Sequence, residues 1–306
     1  MVPEPEFESY YGRQIIKTPT WKTPDVPLYL FLGGLAGASA VLAEGAALGD
    51  YPDLERVTRL AAAGGAGIGT VFLVHDLGRP ARFLNMLRVF KITSPLSVGS
   101  WLLAPFATCA SGAALSQEAG VLPVLGRLSG VGAAVFGPFL ATYTGALLAN
   151  TAVPVWHEGH RELPFVFAGS AAAAAGGLAM LLVPADQSGP ARRMAATGAA
   201  LDVVSHEVME RRMGPLLSEP YRKGTPGLLM RIARGLTLTG GVLSVLAGRS
   251  RAAALVGGAA CVAGSVVTRF GVFEAGLASA RDPKYTVIPQ KQRLAERAAA
   301  DDLPRQ

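Results

Sequence analysis

The sequence predicts an all-α integral membrane protein with about eight transmembrane helices. Its 306 residues have a mean hydropathy of +0.35 and only 16% charged residues, whereas soluble domains carry about 25%. The apolar residues gather into runs close to the ~20 residues that cross a bilayer. The 37 glycines favour close helix–helix approach in lipid over a bulky aqueous core.

Residues 1–26 are polar and contain YYGRQIIKTPTWKTPD, too long and irregular for the n-region of a signal peptide. They read as a surface arm, either with Tyr10, Tyr11 and Trp21 at the membrane interface or as a partly ordered tail. Apolar runs follow at about 27–48, 58–75, 97–116, 128–152, 163–183, 193–213, 234–248 and 252–279. The sixth is the weakest, because MAATGAALDVVSHEVMERRM carries Asp202, His206, Glu207 and Glu210. The seventh is short unless GLLMRIARGLTL contributes to it. Eight spans is the expectation and seven the alternative, giving a transmembrane domain over 27–280 and a polar C-terminal tail over 281–306. Small residues four apart (Gly33/Gly37, Gly65/Gly69, Ala173/Gly177) predict backbones packed closely in lipid.

The densest polar stretch lies between the second and third spans: HDLGRPARFLNMLRVFKITSPLSVGSW, from His75 to Trp101. Asp76, Arg79, Arg82, Arg88 and Lys91 fall within it. Eight spans put this loop on the same face as both termini. That face holds 20 of the lysines and arginines and the other face 7, with Arg269 inside the last span. The positive-inside rule then places the termini and the 76–96 loop in the cytoplasm of a plasma-membrane protein. Basic residues confined to the gaps between spans are topology charges and not a nucleic-acid surface.

Ionisable groups within spans are costly and each needs a reason. Glu44 sits either near the far interface or on a proton path. Arg269 precedes Glu274 by five residues, as a structural pair near the interface or as a functional charge. Asp202, His206 and Glu210 recur every four residues and share one helical face. That face is either a proton path or the solvated end of a half-inserted helix. The four histidines, His75, His157, His160 and His206, do not provide the facing pairs deep in spans that a di-haem cytochrome requires. Cys109 and Cys261 stand singly in apolar runs without a CxxC, so no haem, iron–sulfur cluster, zinc site or disulfide is expected on this chain. GxGxxG at a strand–helix junction, GxxxxGK[ST] and HExxH are absent from the sequence.

The His75–Trp101 stretch, preceded by LYLFLGGLAGASAVLA and followed near the end by RFGVFEAGLASARDPKYTVIPQ, resembles the NrfD/polysulfide-reductase membrane-subunit family from about Pro27 to Gln290. The resemblance implies eight helices in two four-helix bundles, about 27–152 and 163–279, without haem. It implies an iron–sulfur ferredoxin-like partner subunit and, through it, a molybdopterin-type or other catalytic subunit. It also implies a quinone (menaquinone or ubiquinone) bound among the first four helices at the end nearest that partner, and some members are proposed to move protons. The matching positions are Tyr29 in the first span and Tyr143 in the fourth, with Asp25, His75 and Asn150 close by. Asp76, Arg79, Arg82 and Arg88 become candidate docking contacts; Glu44, Asp202, His206 and Glu210 become candidate proton carriers.

Elementary chemistry agrees with this. Quinone turnover needs an apolar slot, hydrogen-bond donors and a proton source, which phenols, a carboxylate and an imidazole at one membrane face can supply. Electrons must arrive from a partner, because the chain offers no ligands for a redox centre of its own. Arg79 and Arg82 either face that partner or bond carbonyls within the loop. A passive anchor and a proton or solute transporter remain the other readings.

Overall fold

The computed structural model describes residues 15–79, 81–248 and 250–301, and every regular element among them is helical. The helices are α1 (Asp25–Leu48), α2 (Pro52–Asp76), α3 (Ala81–Met86), α4 (Pro95–Ala119), α5 (Pro123–Ala149), α6 (Pro154–Glu158), α7 (Leu163–Leu182), α8 (Gly189–Leu217), α9 (Glu219–Arg222), α10 (Gly224–Leu246), α11 (Arg251–Arg281) and α12 (Lys284–Asp301). Prolines begin α2, α4, α5 and α6, a position where a missing N–H costs nothing. Ser94 and Ser250 cap α4 and α11 by accepting hydrogen bonds from the backbone of Ser97 and Ala253.

Seven helices among the described residues are long and apolar enough to cross a membrane: α1, α2, α4, α5, α7, α10 and α11. The sixth expected span, α8, has the length, at 29 residues, but its charges keep it out of that set. It nevertheless runs the full length of α7. It starts after the α7 end and finishes where Arg212 bonds Glu162 at 2.6 Å and Glu158 at 3.4 Å, just before α7 begins. Gly214 (φ +72) and Pro215 break its last turn.

Helices α1, α2, α4 and α5 pack on one another, as do α7, α8, α10 and α11, and α1 touches helices of both sets. Backbone contact replaces side-chain burial at several crossings. A Cβ on Gly37 would collide with the Gly137 carbonyl, and one on Gly137 with that of Gly37, so α1 and α5 meet main chain to main chain. Gly65 and Gly69 bring α2 against Leu32 and Ala36 of α1, and Gly177 brings α7 against Gly258 of α11. Gly33, expected to share the small-residue seam, has open space beside it.

Three other features differ from the sequence expectation. The gap between the sixth and seventh apolar runs, 214–233, is mostly helix, α9 and the start of α10, so the amphipathic stretch lengthens the seventh span. The polar tail continues as α12. Lys284 Nζ reaches Glu219 at 3.0 Å and Arg293 reaches Glu158 at 3.5 Å, holding it against α9 and α6. Arg269 does not pair with Glu274. A spacing of five residues turns the two about 140° apart on a helix, and Thr23 of the arm donates to Glu274 instead. Arg269 is fully buried; it donates to the carbonyls of Phe167 (2.9 Å) and Leu30 (3.4 Å) and lies 3.8 Å over the Phe167 ring.

The arm is docked where it is described. The Trp21 ring stacks on Trp156 at 5.7 Å, and the Lys22 amide donates to Asp76 Oδ1 at 2.9 Å. Trp156 in turn donates to the Val272 carbonyl at 2.8 Å, and its ring fills the notch left by Gly276. Tyr10 and Tyr11 lie outside the described residues.

Candidate functional site

The first turn of α1 places Asp25 and Tyr29 four residues apart on one face. Asp25 is buried and meets the last turn of α2, where Oδ2 lies 2.7 Å from Nδ1 of His75. The imidazole is open to solvent, its side chain 72% exposed, while the carboxylate behind it is 8% exposed. One turn deeper, the Tyr29 hydroxyl lies 3.0 Å from that of Tyr143 on α5. Both rings are buried, at 3% and 7% exposure. Gly69 of α2 leaves room beside Tyr29, and Gly99 of α4 leaves room for the Tyr143 ring, which a Cβ there would overlap. All four helices of the first set therefore meet at the tyrosine pair.

The chemistry of that pair is simple. Two hydroxyls sharing one hydrogen bond leave one O–H proton free, because only one of them donates to the other. The free proton can be given to a further acceptor. Asp25 and His75 above form a connected acid–base couple from solvent to the buried carboxylate. Asn150, by contrast, is exposed at the C-terminal cap of α5 and is not brought into this cluster.

The loop over 77–94 is tied to α4 by Ser97, whose hydroxyl donates to the Val89 carbonyl and accepts from the Lys91 amide, both at 3.0 Å. Arg82 donates to the Leu77 carbonyl at 3.1 Å, the internal role that the sequence left open. Arg79 and Arg88 are exposed, and Asp76 is engaged by the arm. Apolar side chains stand exposed with them, among them Leu84, Val89, Phe90 and Ile92.

A second polar centre lies between α8 and α10. Asp202, His206 and Glu210 share one face there. His206 and Glu210 line a cavity of about 330 Å³ at the arm end, and Asp202 lines a small void below it with Thr237 and Thr268. Glu210 is held by Arg222 at 2.7 Å and Arg234 at 3.1 Å. His206 Nε2 stands 3.0 Å from Glu210 but out of hydrogen-bonding alignment, and Nδ1 faces no partner. Glu44 is not part of this group. It lies towards the opposite end of the molecule, against Gly130 and near Arg59, which pairs with Glu55 at 2.7 Å. The four candidate proton carriers thus divide between the two helix sets and between opposite ends.

The sequence did not single out Gly99, although it lies within the quoted motif. Its signal was a glycine inside a helix, where a close neighbour rewards the missing side chain. Among the described residues no group of three or more His, Cys, Asp or Glu forms a metal cage.

A family model described as "Polysulphide reductase, NrfD" matches residues 16–201, about three-fifths of the chain. No curated protein matches. The match takes in the arm from Ile16, the whole tyrosine cluster and the His75–Trp101 stretch, and it stops one residue before Asp202. The chain belongs to the NrfD family and is a multi-pass membrane protein.

Proposed function

We propose that this NrfD-family chain is the quinone-reactive membrane subunit of a respiratory oxidoreductase complex, with the Tyr29–Tyr143 pair as its quinone contact. In this reading its eight long helices form two four-helix bundles in the plasma membrane, with both termini and the 76–96 loop in the cytoplasm. An iron–sulfur subunit docks on the loop beside Arg79 and Arg88, and a molybdopterin-type or other catalytic subunit lies beyond it. The observation that carries the proposal is the buried hydroxyl pair at 3.0 Å, set among four helices beneath a solvent-facing histidine.

The residues fit a quinone head. The spare phenolic proton suits a carbonyl acceptor, and the Gly99 notch lets the Tyr143 ring lie flat against α4. A bound quinone supplies two-electron, two-proton redox chemistry. Tyr29 and Tyr143 orient the head and hold a proton at the hydroxyl that faces it. Asp25 and His75 connect that position to water, His75 exchanging protons with solvent and Asp25 holding the imidazole in place. The apolar packing of α1, α2, α4 and α5 excludes water from the pair.

The test is quinol oxidation and quinone reduction by the purified complex carrying Tyr143→Phe or His75→Ala. Full activity in both variants overturns the site, and purification without an iron–sulfur subunit overturns the complex. The Asp202–His206–Glu210 face supports a proton-carrying role in the second bundle, tested by proton uptake in Asp202→Asn vesicles that turn over quinone.

A further inference from the structure

The cavity between α8 and α10 holds more donors than its own acceptors can use. Arg222, Arg231 and Arg234 line it with only Glu207 and Glu210 as charged acceptors, and Arg211 reaches Glu207 from outside. Every oxygen of those carboxylates already has a cation. Glu210 takes Arg234 at 3.1 Å and Arg222 at 2.7 Å, and Glu207 takes Arg211 at 2.9 Å and Arg234 at 3.4 Å. Arg231 has no partner among the described residues. The Tyr221 hydroxyl, buried in the cavity wall, has no acceptor, and His206 Nδ1 is likewise unpartnered. What is missing is an acceptor-rich group of negative charge.

Position says where such a group comes from. Arg231 lies seven residues into α10, about 10 Å along the axis from its start. Its neighbours on that helix, Leu228 and Ile232, are exposed, as are Val204 and Val208 on α8. These apolar rows are what lipid tails cover, so the groove opens sideways to the bilayer. Apart from Met230 the residues lining the cavity carry polar or charged groups, a lining that favours an anionic headgroup over a quinone ring.

We propose that the groove between α8 and α10 binds the phosphate headgroup of an anionic phospholipid from the arm-end leaflet, with Arg231 and Tyr221 as the donors that meet it. Charge-assisted hydrogen bonds from a guanidinium to phosphate oxygens are strong and directional, and basic pockets between transmembrane helices are suited to such headgroups. The lipid completes the polar lattice that already ties α8 to α9 and α10, and it closes the mouth of the space leading to Asp202. This site is independent of the tyrosine pair and stands whether or not that pair binds quinone.

The experiment uses the purified full chain with whatever subunits accompany it, stripped of native lipid in detergent. Phosphatidylglycerol, phosphatidylcholine and inorganic phosphate are offered separately. Retention is read by native mass spectrometry and stabilisation by the unfolding temperature. The wild-type protein is expected to retain phosphatidylglycerol and unfold at higher temperature with it, with phosphatidylcholine at least tenfold weaker and inorganic phosphate without effect. Arg231→Gln, an exposed and unpaired position, is expected to weaken retention about tenfold, and Tyr221→Phe severalfold. Arg127→Gln, on the cavity at the opposite end, is expected to leave it unchanged. Equal retention by wild type, Arg231→Gln and Tyr221→Phe overturns the proposal. So does stabilisation by inorganic phosphate as great as by lipid, which would mark a soluble-anion site, or equal retention of the two lipids.

Discussion

Oδ2 of Asp25 and Nδ1 of His75 lie 2.7 Å apart, joining the first turn of α1 to the last turn of α2 across the mouth of the first helix set. The contact is asymmetric: the ring is open to water and the carboxylate is not. Asp25→Asn retains a hydrogen-bonding side chain but removes the negative charge. Turnover of the complex with quinone is expected to fall about tenfold, equivalent to about 1.4 kcal/mol of barrier, with quinone affinity little changed. A steady-state split of kcat from KM measures this. A fall in affinity alone would reassign Asp25 to binding.

Tyr143→Phe leaves the Tyr29 hydroxyl buried without its partner, a loss of about 1–3 kcal/mol. The variant is expected to unfold at lower temperature in detergent and to lose most quinone turnover. Tyr29→Phe is expected to do the same, and the double variant to cost less than the two single losses added together, because both remove one shared bond. Thermal unfolding of the three variants measures that coupling.

Gly99→Ala places a methyl group where the Tyr143 ring stands. Overpacking of a filled site costs about 1–3 kcal/mol, so both stability and quinone turnover are expected to drop without any change of polar group. Gly33→Ala, with open space beside it, is expected to be neutral. The contrast between the two is read from unfolding temperatures.

Glu219 joins Lys223 and Lys284, and their hydrogen bonds hold its carboxyl down to about 2. The folded carboxyl therefore titrates below its unfolded counterpart, which lies near ~4.3. Its contribution to holding α12 is complete above about pH 4.3 and is lost as pH falls towards 2. Glu219→Gln is expected to loosen α12 already at neutral pH. Limited proteolysis of α12 at pH 7 measures this, with faster cleavage of the variant than of wild type as the expected result.

Arg269→Ala removes a buried guanidinium that bonds two helices at once, and a loss of about 3 kcal/mol or more is expected from the cavity and the unmade hydrogen bonds. Arg269→Lys, which lacks the planar fork, is expected to recover only part of it. Unfolding temperatures in detergent rank the three proteins.

The long apolar runs were legible because lipid leaves so few alternatives: an uninterrupted run must be a helix. The common face of Asp202, His206 and Glu210 was legible from spacing, and the cavity lies on that face. The meeting of Tyr29 with Tyr143 was not written in any local pattern, since 114 residues separate them; only the family resemblance pointed there. The partners of Arg269 were hidden for a related reason. They are main-chain carbonyls of Leu30 and Phe167, which carry no side-chain signature, so the nearby Glu274 looked like the natural counter-ion. Asn150 looked close because it follows α5 directly, yet the end of that helix turns it outward.

Helix α1 is synthesised before the other long helices described and is the most buried of them, touching both sets. Its Leu30 carbonyl accepts from Arg269 of α11, which lies 239 residues further along the chain. During biogenesis the insertion machinery or surrounding lipid must shelter the inner faces of α1 until α7 and α11 arrive. The Arg269 guanidinium then adds hydrogen bonds to both α1 and α7 where the two sets already pack. Assembly thus depends on the order of synthesis: the helix at the centre of the two sets is made before the guanidinium that ties it to α7 and α11.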